Sequence, residues 1–498
     1  MPGFMFRVIQ LFIFIFILTS TSYSQIDPGA RGQYPQGWFS QTISREGRNM
    51  NCRIYYPSFS DGENSQIDTV NGPWPIVAFG HGFFMQTNYY LSLFRQLASH
   101  GFIVIAPQFT DTQHGELGKD LIFCLNFIKS SSTVPGNRFY KLADTSKTGV
   151  SGHSMGGGAS LLSTIYDSTI TISAPFAAAE TVPSIISTIN STKSIIYLIS
   201  SQNDGITPPA TTQIPMYENT PDNKALLTIK GGNHTKFMDT NIWDWTDAGG
   251  YINRNLQIYL SQKYLTAVLK LFLHEDKSYW NYAFGDSVNA DTSIVLRKSV
   301  NRLPLKSFKL LTEEGSVTNQ NIYIRWEKSS TLNPLENIRY NVEFALDSLF
   351  ESLFYVSPAV ADSSIIIDSI PPGDLYVRIV ASTPGGIQKF SNNSIKLTLS
   401  PPLSVADGSP DLSTLRISGV FPNPFNPAFS ITIDNQNTTD ILFELYDISG
   451  KRILSSEKVI YPGISKEYFD LSGNPSGIYF LSVRVEGRSF VKKVVLQK

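Results

Sequence analysis

The segment Lys147-Thr148-Gly149-Val150-Ser151-Gly152-His153-Ser154-Met155-Gly156-Gly157-Gly158-Ala159-Ser160 decides the fold. Lys147–Val150 reads as a short strand and Met155 to Tyr166 as a helix, so Ser154 falls where one becomes the other. The G-x-S-x-G spacing sets glycines on both sides of the serine, which allows a sharp turn that leaves its hydroxyl exposed. The same five residues without that junction would be an ordinary turn containing a serine.

Working outward, residues 74 to 274 alternate short β-branched runs with longer helical ones, the pattern of a parallel sheet with crossover helices. Strands are predicted at Ile76–Phe79, Phe102–Ala106, Lys147–Val150, Thr169–Ser173, Ile195–Ser200 and Ala225–Ile229, with helices at Asp120–Lys129 and Gly250–His274. The fold class is α/β, with a mostly parallel sheet over residues 25–290.

A serine hydroxyl is a weak nucleophile until a base, itself oriented by a carboxylate, takes its proton. On a sheet of this kind the chain order is serine, acid, histidine. Of the six histidines, only His234 and His274 follow Ser154. His234 lies in the turn Gly231-Gly232-Asn233-His234 after a strand, whereas His274 closes a long helix, so His234 is the expected base. Between nucleophile and base stand Asp167, Glu180, Asp204, Glu218 and Asp222; Asp204 alone directly follows a strong apolar strand, and it is the expected acid. Two N–H groups must face the developing oxyanion. The amide of Met155 is one, and that of Phe83 in Gly80-His81-Gly82-Phe83-Phe84 is the other, with Phe84 the next choice and His81 supporting the loop.

The remaining chain sets bounds. Its 498 residues suffice for three domains, and 40 basic against 41 acidic residues give a formal charge of −1, which excludes a basic nucleic-acid binder. Two cysteines, Cys52 and Cys124, support neither a disulfide framework nor a four-thiolate zinc site, and two core thiols are expected. Residues 1–24 combine Arg7, a run from Val8 to Leu18 that is apolar except for Gln10, and mostly small or polar residues up to Ser24, the pattern of a signal peptide. No later run reaches the roughly 18 apolar residues of a membrane span. Past about residue 290 only strand and turn signals remain, predicting small all-β sandwich domains at 304–400 and 416–498, joined by a linker at 401–415. Asp111, His114 and Glu116 occupy a polar loop without metal-ligand spacing, so no metal and no cofactor is expected.

Several of these segments carry resemblances. Gly80-His81-Gly82-Phe83, Leu97-Ala98-Ser99-His100-Gly101-Phe102, Gly152-His153-Ser154-Met155-Gly156-Gly157-Gly158, Asp204-Gly205-Ile206-Thr207-Pro208-Pro209 and Gly231-Gly232-Asn233-His234 resemble the cutinase and polyester-hydrolase branch of the α/β-hydrolases, which overlaps dienelactone-hydrolase-like and chlorophyllase-like proteins. That resemblance implies a lidless cleft for long or polymeric esters, with Phe83 and Phe176 as aromatic walls. Where such enzymes commonly carry a tryptophan, this chain offers only Phe176, and it lacks their late disulfide because no cysteine follows Cys124. Residues 304–400, with Trp326 and Tyr376 as core aromatics, resemble a fibronectin type III sandwich. Phe421-Pro422-Asn423-Pro424-Phe425-Asn426-Pro427, Tyr446-Asp447-Ile448-Ser449-Gly450-Lys451 and Gly477-Ile478-Tyr479-Phe480 resemble the type IX (Por) sorting domain, which implies export by that machinery and a secreted or surface-attached product. The expected activity is a secreted serine carboxylic-ester hydrolase acting on polyesters or lipid esters. The alternatives are an esterase of small acyl esters or phospholipids, and a surface adhesion or glycan-binding protein with an inactive hydrolase-like domain.

Overall fold

The computed structural model describes residues 27–247, 249–400, 415–485 and 488–498. The predicted signal peptide and residues 401–414 of the predicted linker lie outside them. The chain forms two compact units. The first runs to Phe308 and takes in Lys328–Arg339 and Ala381–Phe390, and the second comprises Lys309–Glu327, Tyr340–Val380 and Ser391–Lys498.

The first unit is built on strands β1 (Gln36–Arg45), β2 (Arg48–Pro57), β3 (Gly62–Glu63), β4 (Trp74–Gly80), β5 (Ile103–Pro107), β6 (Ala143–Gly152), β7 (Ile172–Ser173), β8 (Ile195–Ser201), β9 (Lys224–Ile229) and β10 (Ile294–Ser299). They form one sheet in the order β10-β9-β8-β7-β6-β4-β5-β2-β1-β3. From β5 to β9 neighbouring strands run parallel, while β10 joins β9, and β2 joins β5, antiparallel. Every residue of β4, β5 and β8 is buried, as expected of strands covered on both faces. Their side chains alternate between two cores. Val77 and Phe79 of β4 and Tyr197 and Ile199 of β8 face one core, which α1 (Leu91–Ser99) and the long helix Arg254–Leu273 also line; Ile76 and Ala78 face another, shared with α2 (His114–Ser131).

Several sequence expectations shift. The strand expected at Thr169–Ser173 contracts to Ile172–Ser173, and Ile294–Ser299 belongs to the large sheet, so this unit runs past residue 290. His114 and Glu116 sit on a helix rather than a loop, because α2 begins six residues before the expected Asp120. Cys52 and Cys124 are buried free thiols with sulfur atoms 4.0 Å apart.

Gly315–Thr318, Ile395–Ser400, Gly373–Ser382, Arg339–Ala345 and Leu353–Val356 share a sheet that lies mostly in the second unit, and Gln320–Arg325 pairs with Ser364–Ser369. Trp326 is buried there against Tyr340, ring centroids 5.6 Å apart, whereas Tyr376, expected in the core, is half-buried. Residues 415–485 and 488–498 form a three-stranded and a four-stranded sheet around Phe425, Phe429, Phe443, Phe469 and Leu481.

Two glycines let β4, β6 and the helix after β6, α3 (Met155–Tyr166), meet. A methyl carbon at Gly152 would lie 2.4 Å from the carbonyl oxygen of Gly156, and one at Gly156 would lie 2.2 Å from the carbonyl of Gly80. Neither gap admits a side chain, and both obstacles are backbone, which cannot rotate aside. Gly156→Ala is therefore expected to cost about 1–3 kcal/mol or more, measured as a lowered urea midpoint with unchanged slope.

Candidate active site

Ser154 lies between the end of β6 and the start of α3 with φ 57° and ψ −119°. For a residue with a side chain this is a strained conformation, held by the tight packing of Gly152 and Gly156 on either side. Its amide donates to the carbonyl of Phe176 at 3.0 Å, and its carbonyl accepts from Gly158 at 3.0 Å. Ser154 is 7% exposed, less buried than His234 at 1%.

The loops after β4, β6, β8 and β9 all leave the same, carboxyl edge of the parallel strands. The chain exits β4 toward β5 on one side and β6 toward β7 on the other, so a crevice opens between β4 and β6. Ser154 and the Gly82–Phe84 loop border it. A methyl carbon at Gly82 would lie 3.4 Å from the Cβ of Ser154. The amide of Met85 donates to the carbonyl of Gly82 at 3.1 Å, closing a turn in which Phe84 takes φ 54°. Among the described residues, neither the Phe83 nor the Met155 amide has a hydrogen-bond acceptor; for Met155 this follows from its place in the first turn of a helix. Phe83 and Phe84 are exposed, their ring centroids 4.1 Å apart. Phe84, Met85, Gln108, Phe109, Asp111 and Met155 help line a cleft of about 300 Å³.

Asp204 and His234 meet across the loops after β8 and β9. His234 Nδ1–H donates to Asp204 Oδ2 at 2.9 Å, and both side chains are shielded from water. The remaining lone pairs of the carboxylate are filled: Oδ1 accepts the amides of Ile206 at 2.9 Å and Thr207 at 2.7 Å, and the Thr207 hydroxyl lies 3.0 Å from Oδ2. A carboxylate so saturated can only accept, which assigns a proton to Nδ1. The His234 ring packs on His153, the residue before Ser154, with centroids 4.6 Å apart.

His81 braces the crevice from the other side. The amide of Phe109 donates to its Nε2 at 2.9 Å, so Nδ1 carries the hydrogen and donates to the carbonyl of Gly82 at 2.7 Å. Burial pulls its pKa down to about 4. Tyr90, which the sequence reading did not single out, holds the same loop: its hydroxyl accepts the Gly82 amide at 3.3 Å and meets His153 Nδ1 at 2.9 Å. Burial also drives His153 strongly toward the neutral form.

The structure departs from the sequence reading at Phe176. That ring, expected as an aromatic wall, is 1% exposed and stacks on Phe237 at 5.2 Å, so it packs the core beneath the site. Asp111 and Glu116 pair with Arg48 and Arg45, and Asp120 with both arginines. Among the described residues no group of three or more His, Cys, Asp or Glu is placed to hold a metal, and no helix is long and apolar enough to cross a membrane.

Thr207 and Asp247 were also missed. Thr207 carries a readable signal, a hydroxyl three residues after an aspartate in a loop. Asp247 does not, because it follows the histidine, outside the segment in which an acid was sought. Its carboxylate accepts the amides of His234 at 2.6 Å and Gly205 at 3.2 Å.

Three similarities accompany this geometry. A family model described as PETase, PET hydrolase-like, matches residues 24–300. One described as a secretion system C-terminal sorting domain matches residues 419–497. Chlorophyllase-1 of Arabidopsis thaliana is 45% identical over 40 residues, 8% of this chain and 12% of that protein. The chain thus spans about an eighth of this curated relative.

A histidine kept neutral by burial contributes stability that is complete above its unfolded value of 6.5 and is lost as pH falls toward the folded value. For His81 that window runs from 6.5 down to about 4 and is worth on the order of 3 kcal/mol. The urea midpoint is expected to fall across this range, and to fall less in His81→Asn.

Proposed function

This chain belongs to the PET hydrolase-like family, and from that premise we propose that it is an exported serine carboxylic-ester hydrolase of the cutinase-like kind, acting on polyesters or lipid esters. The C-terminal sorting domain marks it for type IX export, to the cell surface or the medium. The reading is carried by one observation: the 2.9 Å bond from His234 Nδ1 to Asp204 Oδ2, at the sheet edge where a strained turn presents Ser154.

In this reading His234 Nε2 takes the Ser154 proton as Oγ attacks the ester carbonyl carbon. Asp204 keeps the imidazole in the tautomer that can do so and stabilises the imidazolium that forms. The amides of Met155 and Phe83 receive the oxyanion, each such donor being worth roughly 3 kcal/mol. Collapse of the tetrahedral intermediate expels the alcohol, which takes the proton from His234. Water, activated by the same histidine, then attacks the acyl-enzyme and releases the acid with Ser154 restored. No cofactor enters. The exposed Phe83 and Phe84 rings offer an apolar surface beside the scissile bond. Residues 304–400 we read as a fibronectin type III-like module.

The burial of Phe176 favours a second reading, small acyl esters or phospholipids, because it removes one aromatic wall from the cleft. Release of aromatic acid from a polyester film, compared with fatty acid from tributyrin, separates the two.

On p-nitrophenyl butyrate, Ser154→Ala is expected to lower kcat by on the order of 10⁶ and Asp204→Asn by about 10⁴. Turnover surviving Ser154→Ala would end the serine mechanism.

A further inference from the structure

Two buried carboxylates serve the loop that carries His234, and only one touches the imidazole. Asp247 is 5% exposed, and among the described residues it forms no salt bridge. A buried carboxylate must be compensated by hydrogen bonds. Here Oδ2 accepts the His234 amide at 2.6 Å and Oδ1 the Gly205 amide at 3.2 Å. A single side chain thus grips the backbone of the base and of the residue following the acid.

Among the other links between these loops, the Thr207 hydroxyl reaches His234 Nδ1 at 3.2 Å, whereas two backbone bonds stop short of the pair. The amide of Gln202 donates to the carbonyl of Ile229 at 2.9 Å, and that of Asn203 to Gly232 at 2.9 Å. Neither bond involves Asp204 or His234. Gln257, fully buried on the long helix, holds the next residue: its Oε1 accepts the Asn233 amide at 3.0 Å and its Nε2 donates to the Asn233 carbonyl at 2.6 Å. Asn233 in turn donates through Nδ2 to the carbonyl of Asp247 at 2.6 Å. Approach at Gly205 is close, since a methyl carbon there would lie 3.0 Å from Asp247 Oδ1.

We infer that Asp247 is a positioning residue for ester hydrolysis: by tying the Gly205 and His234 amides to one carboxylate, it sets the spacing and angle at which Asp204 meets the imidazole. The inference rests on the Ser154, His234 and Asp204 reading given above. Catalysis is sensitive to such spacing, a misplacement of about 1 Å costing on the order of 100-fold.

The test compares the full chain with Asp247→Ala, Asp247→Asn, Asp204→Ala and the Asp204→Ala/Asp247→Ala double variant on p-nitrophenyl butyrate, with Ser154→Ala as control. Asp247→Ala should lower kcat roughly 10- to 100-fold with KM changed by less than about twofold. Asp247→Asn should recover most of the rate, because its amide oxygen still accepts from His234. The double variant should be no slower than Asp204→Ala, since both losses pass through one pair. Wild-type kcat in Asp247→Ala, or fully additive losses in the double variant, would overturn the inference. If Asp247→Ala fails to fold, Asp247→Glu, which keeps the charge but shifts the oxygens by one methylene, carries the same expectation. If the wild type shows no Ser154-dependent turnover, the ester-hydrolase reading falls. The inference is then decided by NMR of ¹⁵N-histidine-labelled protein, in which the downfield His234 Nδ1 proton should shift or broaden in Asp247→Ala but not in Asp247→Asn; an unchanged signal in both overturns it.

Discussion

Backbone meets backbone where β4, β6 and α3 converge, and that contact constrains everything built above it. The carbonyls of Gly80 and Gly156 and the α-carbons of Gly152 and Gly156 are too close for any side chain to separate them. Once the strand and the helix are pressed together this tightly, the residue joining them has few conformations left, and Ser154 adopts φ 57°. The strain is local, but its support is the whole parallel sheet. Buried cores on both faces of β4 and of β8 keep the junction from relaxing.

The loops at the same edge are ordered by a different means, hydrogen-bond saturation. Asp204 has every lone pair occupied, by two amides, one hydroxyl and one imidazole. His81 has both ring nitrogens engaged, one as acceptor and one as donor. In a dry environment a polar group left unpaired is costly, so each of these networks has one satisfactory arrangement rather than several. Burial has an electrostatic consequence as well. His81 and His153 are both held toward the neutral form, so neither adds positive charge to the site near neutral pH.

The crevice thus combines a rigid polar floor with an apolar lip. Phe83 and Phe84 project from the loop after β4, and Ile206 is exposed two residues beyond Asp204. Exposed large apolar side chains beside a few ordered polar groups are features of a ligand-binding surface. The second unit has its own aromatic cores, around Trp326 and around Phe429, with strands that alternate buried and exposed residues.

Much of this was legible in the chain itself. The strand-to-helix junction at Ser154 and the strands that end beside Asp204 and His234 are local patterns, written in hydrophobic periodicity and in glycine placement, and such patterns need no distant partner to be read. The helix at His114–Ser131 and the strand at Ile294–Ser299 were less legible, since the first turn of one is polar and the other takes its identity from pairing with β9. Tertiary structure alone decided the rest. Whether Phe176 lines the cleft or packs beneath it depends on Phe237, 61 residues away in the chain, stacking on its ring. Asp247 gains its place only because folding brings its carboxylate against amides from two other loops. Sequence records what each residue can do; which groups remain open to water, and which grip one another, is set by the packing of segments that lie far apart along the chain.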